Sequence, residues 1–190
     1  MPFKLLAVLQ VLDLFITNIA SKQVENTYHN NALISHIQTV NTYIFYSLIY
    51  YYLLKNKYLK NSILVSIVLV VVFGFVNAIF MQPYDQSFPI NVLIPTQILF
   101  ITFSLLLFRQ MLLYPMQISI IKQSIFWYNT AILFFSTTMF MNLGLMNYYS
   151  RHGLHGQIVF YFWYSAIIIF NLLLGMAILT DRKEAATINA

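Results

Sequence analysis

The chain has 190 residues, of which 60% are hydrophobic and only 8% charged, against about 25% charged in ordinary soluble domains. So few charges cannot cover a water-facing surface, and most of the exterior is expected to meet lipid. The absence of cysteine excludes disulfides, thiolate metal sites and cysteine nucleophiles. The formal charge of +5 is scattered between apolar segments, as in the cytoplasmic loops of membrane proteins and unlike a nucleic-acid surface.

Apolar runs separated by short polar breaks predict six helices, each near the ~20 residues that cross the hydrocarbon core. The first, Phe3–Ser21, carries Asp13 and Asn18 and has no small-residue cleavage site, so it reads as a retained helix rather than a signal peptide. The second, Ala32–Leu54, is polar over its first half and rich in tyrosine over its second. At 100° per residue, Ser35, Gln38, Thr39, Thr42 and Tyr46 form one stripe, with His36, Tyr43, Ser47 and Tyr50 beside it. Ile34, Ile37, Val40, Ile44, Phe45 and Leu48 cover the opposite arc. Polar groups facing lipid are costly, so the polar side is expected to face other helices or a wet crevice.

The third helix is Ser62–Met81, and Pro83 and Pro89 bracket the short turn that follows. The fourth, Ile90–Leu113, has Pro95 in its first turns as a potential kink. The fifth is Ser124–Asn147 and the sixth Gln157–Leu179. The expected architecture is thus an all-α, polytopic membrane helical bundle. Residues 1–180 form one transmembrane domain and 181–190 a short cytoplasmic tail.

Loop charge orients the bundle. Lys4, Lys55, Lys57, Lys60, Arg109, Lys122, Arg182 and Lys183 fall on one side, and only Lys22 and Arg151 on the other. The basic side is expected to be cytoplasmic, with both termini there. "SKQVENTYHNN", "QPYDQSF" and "YYSRHGLHG" then lie outside.

Asp13 at mid-depth, His36, Gln38 and Thr39 on the second helix, and Asn77, Gln97 and Asn142 in the outer half are the candidate ligand-binding residues. A central Asp costs roughly 2.5–3.5 kcal/mol on insertion scales, which demands a polar partner. The competing reading is interhelical hydrogen bonding at about 0.6 kcal/mol per pair. Catalytic chemistry has little support. There is no Gly-x-Ser-x-Gly, no His-Glu-x-x-His, no phosphate-binding loop and no mid-helix lysine for a Schiff base. His152 and His155 have metal-like spacing but sit in a glycine-containing loop, so neither a metal nor another cofactor is expected.

The motif order "NNALISH", then "FVNAIFMQP", then "QSIFWYNTAILFFS" resembles a family of small bacterial multi-span membrane proteins of uncharacterised function. The matches are Asn30, Asn31 and His36, then Phe126, Trp127 and Asn129. Gln123–Ser124 replaces the family's Asn-Pro. Members usually have seven helices and are often encoded beside, or fused to, sensor histidine kinases. The resemblance implies one further helix at the amino terminus, residence in the bacterial inner membrane, and a sensory or regulatory role with a histidine kinase as partner. A small transporter or channel using the same crevice is the alternative, and an intramembrane enzyme of lipid or envelope metabolism a weaker one.

Overall fold

A computed structural model describes residues 32–84, 87–115, 119–152 and 157–188. It is all-α, with no strand among the described residues. In chain order it has α1 (Ala32–Leu53), α2 (Lys57–Val76) continued by a π-helical turn (Asn77–Met81), and α3 (Ile90–Leu113). A 3-10 turn (Ile120–Lys122) leads into α4 (Ser124–Arg151), and α5 (Gln157–Ile188) follows. The predicted helix Phe3–Ser21, with Asp13, lies outside the described residues.

The five helices fall where the apolar runs place them, with three shifted ends. α2 starts at Lys57 rather than Ser62 because Asn56 caps it: its Oδ1 accepts the Tyr58 N–H at 2.8 Å. α4 runs to Arg151 and α5 to Ile188, both beyond their apolar runs. Pro95 lies inside α3, where its missing N–H removes the donor expected for the Asn91 carbonyl.

Among the described residues, which hold five of the six expected spans, three segments have both the length and the composition to cross a membrane: Lys57–Met81, Ile90–Leu113 and Tyr161–Asp181. α1 and α4 miss on composition, not length. At 22 and 28 residues both exceed the requirement. They fall short because α1 carries Ser35, His36, Gln38, Thr39, Asn41 and Thr42, and α4 carries Asn129, Thr130, Ser136, Thr137 and Asn142.

The chain divides into two compact units between Thr96 and Gln97, inside α3. In the first, α1 packs on α2. Tyr43 is fully buried and donates its hydroxyl to Ser66 Oγ at 2.7 Å, and Ser66 donates on to the Ile63 carbonyl. Less than one turn before Tyr43 on α1, Val40 meets α2 at Gly74, where a Cβ would stand 2.8 Å from Val40 Cγ2. The buried side of α1 is His36, Tyr43, Tyr46, Ser47, Ile49 and Tyr50. The helix is therefore rotated toward the His36–Tyr50 stripe, and Gln38, Thr39 and Thr42 are only half-buried.

In the second unit α4 packs on α5, with Phe135 stacked on Phe170 at 4.4 Å. The later part of α3 joins α4 through Asn129, whose Nδ2 donates to the buried Ser104 carbonyl at 2.9 Å. Phe108 meets Phe126 edge-on at 6.0 Å.

Candidate functional site

One end of the first unit holds a cluster of polar contacts that join distant parts of the chain. His36 lies in the second turn of α1, and its Nε2–H donates to the Ser87 carbonyl at 3.0 Å. The acceptor is a carbonyl, so Nε2 must carry the proton. This bond spans 51 residues and ties the start of α1 to the segment between α2 and α3.

The same segment is held at both its ends by three amides. Asn77 Nδ2 donates to Gln82 Oε1 at 3.1 Å, and Asn91 Nδ2 donates to Asn77 Oδ1 at 3.2 Å. Gln82 Oε1 also accepts the backbone N–H of Asn91 at 3.0 Å. That N–H belongs to the first turn of α3, where no intrahelical acceptor exists, so Gln82 serves as its cap. The π turn makes the closure possible. Gln82 N–H reaches the Asn77 carbonyl at 2.7 Å, five residues back, and the widened turn leaves the two side chains facing each other. Asn77 itself is fully buried.

The candidate residues thus separate into several environments. His36 and Asn77 act on the same loop through different partners. Thr39 donates to its own helix at Ser35 O, 2.7 Å away, and Gln38 is half-buried on α1. Gln97 and Asn142 belong to the second unit, both buried. Gln97 Oε1 and both polar atoms of the Asn142 amide lack a hydrogen-bond partner among the described residues. Asp13 lies outside the described residues.

Sequence reasoning places Gln82 and Asn91 in the same outer half as Asn77 but leaves them, and Ser87, off the candidate site. A signal was present: Gln82 directly precedes Pro83, and Asn91 follows Pro89 by two, so amides flank the proline-bracketed turn. Among the described residues no group of three His, Asp or Glu side chains is arranged to hold a metal ion. His152 Nδ1 lies 2.9 Å from the Tyr148 carbonyl of its own helix, and His155 falls outside the described residues.

The motif residues around α4 have packing roles. Trp127 Nε1–H donates to the Ile121 carbonyl at 2.8 Å, which fastens α4 to the 3-10 turn, and Phe126 meets Trp127 edge-on at 5.5 Å. Tyr128 is fully buried in protein. In comparisons with family models, curated proteins and solved structures, nothing matches this chain.

Proposed function

We propose that this chain is a six-span integral protein of the bacterial cytoplasmic membrane that senses or regulates rather than catalyses. On this reading a small polar ligand reaches the outer end of the bundle, and a sensor histidine kinase receives the signal. Membrane residence is supported by the exposed apolar faces: Val65, Val68, Leu69, Val72, Phe75 and Phe80 on α2, and Tyr161, Ile168, Leu172 and Leu179 on α5. Exposed apolar side chains in such number mark contact with lipid or another apolar partner rather than with water. Polar α1 and α4 can still span, because many of their polar side chains point into protein. His36, Ser47, Asn129, Ser136 and Asn142 are all buried, which avoids the cost of placing them in hydrocarbon.

The observation that carries the sensory reading is the His36–Ser87 bond. A side chain inside a helix holds a loop that the lysine asymmetry assigns to the outer face, so anything that competes for that imidazole is coupled to helix α1. The kinase partner rests on the motif resemblance. The transporter or channel reading draws on the Asn142 amide, buried with both polar atoms unpartnered among the described residues, as a substrate contact would leave it.

Topology is tested first. In this cysteine-free chain, a single cysteine at His152 should be labelled by an impermeant maleimide in intact spheroplasts, and one at Lys57 should not. Labelling at 57 reverses the orientation. Signalling is tested by kinase autophosphorylation in vesicles containing both proteins. His36→Ala should change it by about fivefold or more, the lower end of ordinary allosteric coupling. His36→Gln retains an N–H donor for Ser87 and should lie nearer the parent. If both variants insert normally and leave kinase output unchanged, the sensory reading fails; solute flux through the same vesicles would then favour the transporter.

A further inference from the structure

The turn between α1 and α2 lies at the opposite end of these helices from the His36 loop, and its chemistry is different. Lys55, Lys57 and Lys60 are the only Lys, Arg, Asp or Glu side chains in residues 32–84. All three fall within six residues of chain, with a single non-helical break, Leu54–Asn56, between the two helices. Tyrosines accompany the lysines. Tyr52 is 63% exposed and Tyr58 84% exposed. Lys60 Nζ sits 5.1 Å from the centre of the Tyr51 ring, and Tyr51 meets Tyr52 edge-on at 5.7 Å. The cation–π contact holds that ammonium beside the aromatic cluster.

We propose that this turn is a binding site for anionic phospholipid headgroups, with the lysines taking the phosphate and the tyrosines seated at the hydrocarbon boundary. The proposal rests on the membrane reading above and adds a ligand class to it. The physical case is complementarity on two counts. Three ammonium groups within six residues of chain match a surface of negative phosphates. Tyrosine favours the headgroup level, where its ring is in apolar surroundings and its hydroxyl is wet. Leu54, directly before the lysines, is buried, and α2 turns apolar immediately after Asn61–Ser62. The charged belt is therefore narrow, about the depth of a headgroup layer.

The test uses the full chain reconstituted in vesicles, with a fluorophore on a single cysteine at exposed position Asn61. Brominated phosphatidylglycerol should quench it more strongly than brominated phosphatidylcholine at equal mole fraction. The preference should fall about fivefold for each lysine replaced by glutamine, and should shrink as salt is added. Helical circular dichroism confirms that the triple variant Lys55→Gln, Lys57→Gln, Lys60→Gln is folded. Quenching by neither lipid would defeat the membrane reading itself. Equal quenching by both would leave that reading standing and overturn the headgroup site. A preference that persists in the triple variant would assign it to another part of the chain and overturn the proposal. So would a preference abolished by excess inorganic phosphate, since the turn would then bind the free ion rather than a lipid surface.

Discussion

Replacing Asn77 by alanine is expected to lower the stability of the first unit by about 2 kcal/mol. Two side-chain hydrogen bonds are lost, to Gln82 and from Asn91. At the ~0.6 kcal/mol typical of polar pairs between membrane helices, they account for only about 1 kcal/mol. The remainder comes from what stays behind. Asn91 Nδ2 loses its acceptor at Asn77, and an orphaned, part-buried polar group costs about 1–3 kcal/mol. Gln82 keeps the backbone N–H of Asn91, so the cap on α3 weakens without vanishing. Reversible unfolding in mixed detergent micelles, followed by circular dichroism, measures the loss. A double-mutant cycle with Asn91→Ala decides whether the amides act as one unit. Non-additive losses are expected, because both substitutions remove the same Asn91–Asn77 hydrogen bond. Simple additivity would mean that each amide has an independent role and that the π turn is held by backbone bonds alone.

The second large effect is expected at Gly74. Alanine there places a methyl carbon 2.8 Å from Val40 Cγ2, inside the closest approach that carbon atoms tolerate. Valine is branched at Cβ and rotates with difficulty in a helix, so its methyl cannot simply swing away. The helices must separate instead, at about 1–3 kcal/mol for an overpacked contact. Separation would also lengthen the Tyr43–Ser66 bond, which spans the same helix pair. Val40→Ala in the Gly74→Ala background removes the obstructing methyl and should restore most of the loss. If Gly74→Ala unfolds at the parent midpoint, the helices are not in contact at this height. Failure of the Val40→Ala rescue would show that the damage lies elsewhere along the helix.

These two sites show how unequally the structure could be read from the sequence. The existence, order and approximate limits of α1 to α5 follow from the lengths of the apolar runs, because helix formation by a long hydrophobic segment is a local property of the chain. The all-α class follows likewise. Proline marked the turn between α2 and α3, but the Asn56 cap that moves the start of α2 to Lys57 was not read from the sequence. Polar residues could be located along each helix and their cost estimated.

Their partners could not be found that way. Depth alone groups Asn77 with Gln82, Asn91, Gln97 and Asn142 in the outer half, and a linear pattern cannot choose among them. The structure pairs Asn77 with Gln82 and Asn91, and the deciding feature is one extra residue in a single helical turn. A shift of one residue turns a side chain through 100°, so a small local widening reassigns every contact at that end. The buried face of α1 is a similar case. Periodicity gave a broad polar side, and packing against α2 selected the His36–Tyr50 stripe within it, where Gly74 permits close approach. Composition and periodicity determined which segments are helices and which side of each is costly to expose. Only tertiary packing decided which polar group meets which, because hydrogen bonds require ångström-scale geometry between residues as far apart as His36 and Ser87.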